Sequence, residues 1–279
     1  MKGSGELVTL AIGTSLANRS ATEQLAEYLK TGGLEIETAN LGQWVFLGCK
    51  LKGTEKANLV HAFVADAVAD LLVGSQQRQL LGRILRHNYK GFTAEEQEEI
   101  VNRSLQILNF DLQTGEEDEI RKRQRKNLVY ARLLECLAGR SQIVLEGFVR
   151  FRLKEYYREL KLAVDLAVEE QLAEREYRDF ISLLRSFVEI QPSSFELLHV
   201  VPKGDAYLLL DENGQELSEE FLEEPLGGME PEDVLLSNLI TLAPEKVILH
   251  GSFGREISRT IKQVFSEQVS TCSGCELCR

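Results

Sequence analysis

The sequence predicts an α+β chain, with a predominantly helical middle between a small α/β N-terminal part and a C-terminal α/β region. Three observations predict it. All five prolines (Pro192, Pro202, Pro225, Pro231, Pro244) lie after residue 191, so the first 191 residues are free of the residue that breaks helix interiors. Apolar residues recur at three- and four-residue steps from about residue 55 to Ile190, the period of an amphipathic helix. After Pro192 the pattern shortens to β-prone runs separated by turn signals. The organisation read from this is residues 1–52 as a small α/β region, 53–192 as the helical region, 193–270 as the C-terminal α/β region and 271–279 as a Cys-rich tail.

The elements follow in order. Leu7–Ile12 is β-prone, and Ser20-Ala21-Thr22-Glu23 has the spacing of a capping box opening a helix to about Lys30. Gly32-Gly33 ends that helix, and a strand is expected at Gln43–Gly48 around the sole tryptophan, Trp44. Leu59, Phe63, Ala67 and Leu71 then fall on one helical face, continued by Leu80, Ile84 and His87 beyond Gly74-Ser75. Thr93 and Glu96 form a second capping-box pattern, opening a helix towards Leu108. A further helix is expected from Glu116 to Leu137. A long helical stretch then places Leu153, Tyr157, Leu160, Val164, Val168 and Leu172 on one stripe, with Phe180, Leu183, Leu184 and Phe187 continuing it. The stripe is expected to be buried packing.

Past the prolines, Leu197–Val201 and Ala206–Leu210 read as strands, with Asn213-Gly214 turning a hairpin towards Gln215–Leu217. Pro231 and the acidic residues after it open a helix that Ala243-Pro244 closes near Leu242. Val247–His250 is a strand, Gly251–Gly254 a loop, and Arg255–Val269 a helix.

Composition bounds the function. Of 279 residues, 43% are hydrophobic and 27% charged, the balance of a globular chain that needs no disulfides to build a core. No uninterrupted apolar run reaches the ~18 residues of a spanning helix. The start lacks a secretory cleavage pattern, so the expected compartment is the cytosol, without membrane attachment. The formal charge is −12, and it is concentrated. Residues 204–245 contain no Lys, Arg or His and 12 Asp or Glu. That window is expected to be a solvated loop facing a basic partner. Elsewhere cations and anions balance, so the global sign does not exclude nucleic acid.

The strongest chemical signal is the tail Cys272-Ser273-Gly274-Cys275-Glu276-Leu277-Cys278, a C-x2-C-x2-C spacing. Two intervening residues let one turn of chain aim successive sulfurs at a common centre, the geometry of zinc and iron–sulfur sites. Both site types normally take four ligands. Candidates for the fourth are His250, Cys49, Cys136, the terminal carboxylate, a second subunit or an open position. A reversible dithiol and a tail of free thiols are the competing readings, since a reducing cytosol keeps thiols free.

Two basic segments could contact phosphates. Arg121-Lys122-Arg123-Gln124-Arg125-Lys126 is preceded at helical spacing by Glu117, Asp118 and Glu119, which favours a solvated, ion-paired helix face. Arg150-Phe151-Arg152-Leu153-Lys154 interleaves aromatic and cationic residues, as stacking platforms for bases do. It also fits an amphipathic helix with aromatics inward. Nucleic acid is therefore the disfavoured partner and another protein the preferred one, with self-association a further option. His61 reads as a core-edge residue, and His87 and His199 as isolated.

A family resemblance is carried by Phe148-Val149-Arg150-Phe151-Arg152-Leu153-Lys154-Glu155-Tyr156, then Val164–Glu170, Glu176–Phe180 and Phe187–Gln191. Leu239–His250 and the cysteine tail complete it. Over roughly residues 145–279 the chain resembles the YtxC-like family, linked with sporulation in endospore-forming bacteria. The resemblance implies a cytosolic bacterial protein with a role in sporulation. It brings no catalytic residues, and an enzymatic role is not the expected one.

Overall fold

The computed structural model describes residues 9–15, 18–50, 57–110, 118–204, 206–218, 221–222 and 229–278. Its contacts divide the chain into two units, Met1–Gln171 and Leu172–Arg279. The fold is α+β and mainly helical, with two four-stranded sheets among the described residues.

In the first unit, strands β1 (Thr9–Ser15), β2 (Glu35–Leu41), β3 (Trp44–Lys50) and β4 (Gln142–Val144) lie in the order β2-β3-β1-β4. β1 and β2 are antiparallel to β3, and β4 is parallel to β1. In β3 the alternation of buried and half-buried residues is the period-2 signature of a sheet with one covered face. The strand expected around Trp44 is present. β2 carries no strand signal in the sequence because its side chains are almost all exposed and its apolar residues, Ile36, Ala39 and Leu41, do not alternate. The expected start of β1 at Leu7 lies outside the described residues.

Helices α1 (Arg19–Thr31), α2 (Ala57–Val73), α3 (Gln77–Asn88), α4 (Ala94–Asn109), α5 (Glu119–Leu137) and α6 (Leu145–Arg152) complete the unit with the first part of α7 (Lys154–Ile190). The Thr93–Glu96 capping box forms with both reciprocal bonds. The one expected at Ser20 does not: α1 begins two residues earlier, behind Asn18, so Ser20 is already helical. Gly33, at φ +84°, ends α1 as expected. Leu59 is 60% exposed and not a core residue, whereas Val60, Val64, Val68 and Leu72 fill the interior. Of the expected face, Ala67 and Leu71 are buried and Phe63 packs against the same core, so the reading fails only at Leu59. Glu116 and Glu117, expected to open α5, lie outside the described residues.

Tyr156 anchors the core of this unit. Its ring is fully buried and its hydroxyl donates to the Leu72 carbonyl at 2.8 Å, the partner a buried phenol requires. No single helix among the described residues is long and apolar enough to cross a membrane. α2 and α3 are apolar enough together but bend by 57° between them. The residues that make them so, including Val64, Val68, Leu81 and Leu85, are buried in this core.

The second unit begins within α7, which contributes Ile181 and Val188 to a separate core. The expected buried stripe is corrected here. Leu172, Phe180, Leu183 and Phe187 are 41%, 50%, 54% and 50% exposed, and only Leu184 of the predicted continuation packs against the core. A helix in contact along one face buries about a third of its circumference, and the apolar residues of α7 here span more than that.

The sheet of this unit has the order β6-β5-β7-β8, from β5 (Leu198–Lys203), β6 (Ala206–Leu210), β7 (Val247–Leu249) and β8 (Val269–Thr271). β6 is antiparallel to β5, while β5, β7 and β8 run parallel. α8 (Pro231–Leu242) spans the expected residues and ends on Ala243 in the left-handed region. The hairpin turn at Asp211–Gly214 forms, but Gln215–Leu217 makes a single bridge, Leu210 to Glu216, and not a strand. α9 (Arg255–Phe265) stops four residues earlier than expected, because Val269–Thr271 pairs with β7 as a strand. Of the acidic window, Asp205, Glu219, Glu220, Glu223 and Glu224 lie outside the described residues.

Candidate metal centre

The parallel register of β5, β7 and β8 builds the site. Val200 pairs with Leu249 and Leu249 with Thr271, so the next residue along β7, His250, and the next along β8, Cys272, emerge together at the strands' C-terminal ends. Backbone bonds fix both: His250 N–H donates to Val200 O at 2.9 Å, and Cys272 N–H donates to Leu249 O at 2.9 Å. The C-terminal end of a parallel sheet is where α/β folds generally gather ligands.

The chain then folds back. Gly251 (φ +77°) turns away immediately after His250, and Gly274 (φ +125°) turns the tail between Cys272 and Cys275. Both backbones lie where a β-carbon is strained. A short 3₁₀ turn, Glu276–Cys278, follows, with Cys278 N–H bonded to Cys275 O at 3.1 Å. As a result one ligand atom from each of His250, Cys272, Cys275 and Cys278 lies within 4.8 Å of every other. These four lie close enough to hold a metal ion.

The separations among His250, Cys275 and Cys278 fit three corners of a tetrahedron. Around one zinc, Zn–S and Zn–N bonds of the usual length place sulfurs about 3.8 Å apart and sulfur and nitrogen about 3.6 Å apart. Cys275 Sγ and Cys278 Sγ are 3.8 Å apart. His250 Nδ1 is 3.3 Å from Cys275 Sγ and 3.5 Å from Cys278 Sγ. His250 is buried, Cys272 and Cys278 half-buried, and Cys275 exposed.

The imidazole is oriented from behind. His250 Nε2 lies 2.8 Å from Nδ1 of His199, on the neighbouring strand. A metal on Nδ1 of His250 would leave the ring's proton on Nε2, to be donated to His199, which would fix both tautomers. Burial, and then the neighbouring His199, lower the His250 pKa, favouring the neutral form that can ligate. Backbone hydrogen bonds, first from Cys275 and then from Gly251, hold the Cys278 thiol below its ordinary value. Cys272 accepts from Gly274 N–H at 3.4 Å, but burial and the neighbouring thiols outweigh that bond and raise it.

Among the sequence candidates for the fourth position, the structure brings His250 to the three tail cysteines. Cys49 is buried in the first unit's core, where desolvation pushes its thiol up to about 11. Cys136 lies on α5, outside the cluster. The terminal Arg279 lies outside the described residues. His199 corrects the sequence reading: it is not isolated. Its only advance signal was its place on a β-prone run.

The basic segments are distributed differently. Arg121 pairs with Asp118 and Lys122 with Glu119, each three residues apart, while Glu117 lies outside the described residues. Lys126 bridges Asp66 and Asp70 on α2 at 2.9 and 2.8 Å. Arg123 is exposed. Arg125, expected on the solvated face, is 3% exposed, with its guanidinium bonded to Leu108 O, Asn109 Oδ1 and Glu159. Arg150, Arg152 and Lys154 are exposed. Phe151, expected inward, is 66% exposed with Arg150 over its ring, while Tyr156 is the aromatic that turns inward.

Fold and site together define a chain of two α+β units with a Cys3His centre at the C-terminal ends of parallel strands. It belongs to the YtxC-like family, whose model matches residues 62–270, most of the helical region and the C-terminal strands and helices, and ends before the three tail cysteines. The chain is 25% identical over 236 residues, 80% of its own length and 82% of the relative's, to a Bacillus subtilis (strain 168) protein named "Uncharacterized protein YtxC". No solved structure matches it.

Proposed function

We propose that the chain is a non-enzymatic interaction protein of the bacterial cytosol, acting in sporulation, with one zinc ion held by His250, Cys272, Cys275 and Cys278 as a structural clip. The observation that carries this reading is the gathering of four protein ligand atoms within 4.8 Å of one another, those of His250, Cys275 and Cys278 at near-tetrahedral separations. Thiolate and imidazole are the donors of structural zinc sites, and a full set of four leaves no position for water or substrate. Zinc bound there supplies no redox chemistry; it ties β8 and the tail to the end of β7. The 3.8 Å between Cys275 and Cys278 favours one ion over a cluster, whose cysteines are distributed over separate irons.

A protein partner is preferred to nucleic acid because most of the α5 basic run is already committed to carboxylates or buried. Phosphate contacts need cations free to displace counterions. Sporulation and the cytosol come from the family resemblance.

The test is elemental analysis and an absorption spectrum on protein purified without oxygen, wild type beside the Cys272→Ser/Cys275→Ser/Cys278→Ser variant. The expected result is colourless protein with zinc near one per chain, lost in the variant. Iron with sulfide, lost in the variant, would replace this reading by a redox one; no metal in either would refute it. Spore yield in a strain carrying the variant tests the cellular half, and an undiminished yield would separate the site from sporulation.

A further inference from the structure

The C-terminal half of α7 presents an apolar face that the described residues of its own unit leave half-exposed or more. Ile181, Leu184 and Val188 pack towards the core. Tyr177 and Arg185 bond to α9, the phenol to Gln263 Oε1 at 2.8 Å and the guanidinium to Gln263 O at 2.5 Å. Between those contacts, on a different flank, stand Phe180, Leu183, Phe187 and Ile190, which are 50%, 54%, 50% and 81% exposed. Their steps of three, four and three residues are the a and d positions of a heptad, the spacing that brings one helix against another in a coiled-coil seam.

We propose that this flank of α7 is a homodimer interface, in which two copies of the chain pair their last three helical turns antiparallel. Between two copies, the charge pattern selects that orientation. Counted back along the sequence, the next d position is Glu176, which is exposed. A parallel, in-register pair would stack Glu176 on its twin in the seam, and like charges there oppose association. The antiparallel pair sets Phe180 of each copy against Ile190 of the other, and Leu183 against Phe187. Glu176 then falls beyond the end of the opposing helix, which stops at Ile190. The seam is self-complementary, as a two-fold interface must be.

The size is that of a weak, specific dimer. The exposed parts of these four side chains amount to about 500 Å² per copy, so complete burial on both sides reaches about the 1,000 Å² lower limit for a biological interface. Affinity in the micromolar range is the expectation for such a contact.

The experiment is sedimentation equilibrium on the full chain, with loading from about 1 to 200 μM to bracket a micromolar constant. Wild type is expected to pass from monomer to dimer, and Phe187→Glu and Leu183→Glu to weaken dimerisation at least tenfold. Both side chains are half-exposed, so the variants should retain the wild-type circular dichroism. Leu59→Glu, an equally exposed apolar residue on α2, is expected to dimerise as wild type does. Glu176→Leu tests the orientation: it should leave the constant within about twofold, whereas a parallel seam would tighten markedly. A monomer at every concentration would overturn the proposal. So would a dimer that survives both α7 variants, or one that Leu59→Glu weakens equally.

Discussion

Replacing His199 by Ala tests the metal centre without touching a ligand. The structure sets the magnitude. His250 is 3% exposed and its Nε2 has His199 Nδ1 at 2.8 Å. Removing that acceptor leaves a buried N–H without its partner, which costs about 1–3 kcal/mol. Loss of a group that orients a metal-bound imidazole typically weakens metal affinity about 10- to 100-fold, or about 1.4–2.7 kcal/mol, the same range by an independent route. The assay is competition for zinc against a chromophoric chelator, with cobalt(II) as a spectroscopic substitute. His199→Ala is expected to bind one ion more weakly and keep the thiolate-to-cobalt absorption, because all four ligands remain. His250→Ala should change the cobalt spectrum itself. Affinity within threefold of wild type for His199→Ala would refute the orienting role, and an unchanged cobalt spectrum for His250→Ala would refute the ligand set.

Three further outcomes are expected. Chelating the metal should lower the thermal midpoint of the second unit, since free zinc at a hundredfold over its dissociation constant adds about 2.7 kcal/mol; superimposable melts with and without chelator would contradict it. Arg125→Ala should destabilise the first unit by about 1–3 kcal/mol in urea unfolding, because Leu108 O and Asn109 Oδ1 lose their donor while Glu159, 40% exposed, is taken up by solvent. Asp211 accepts from the backbone N–H groups of Gln215 and Asn213 at 2.8 and 2.9 Å, and those bonds, Gln215's first, lower its pKa below the ordinary 3.8. The sign follows: the unfolded chain takes up this proton first, so the turn's contribution is complete above pH 3.8 and is lost as pH falls through the lower folded value. A carboxyl titration of Asp211 by NMR with its midpoint at or above 3.8 would contradict it.

The legible parts of the sequence were those whose signal is local. The Thr93–Glu96 box forms because both bonds close within one turn of the same helix, and α8 begins at Pro231 because proline fits a first helical position. The C-x2-C-x2-C spacing announced a thiol cluster for the same reason: its geometry is set by the two residues between successive cysteines and a glycine. Strand β2 is silent in the sequence because an exposed strand needs no alternation, and Leu59 is misplaced because a helix apolar on most sides leaves its register undetermined.

The sequence by itself determined the α+β composition, the helical middle, the family and three of the four clustered side chains. Tertiary structure alone decided the fourth and its support. His199, His250 and Cys272 come together only because β5, β7 and β8 run parallel in one register, a pairing between segments up to 73 residues apart. It also decided which of α7's apolar residues face a core: Ile181 and Val188 are covered, whereas Phe180, Leu183 and Phe187, equally apolar and on the same helix, are not. Local periodicity reports that a residue is apolar and where it points along a helix. What lies opposite depends on distant segments, and that information is not in the period.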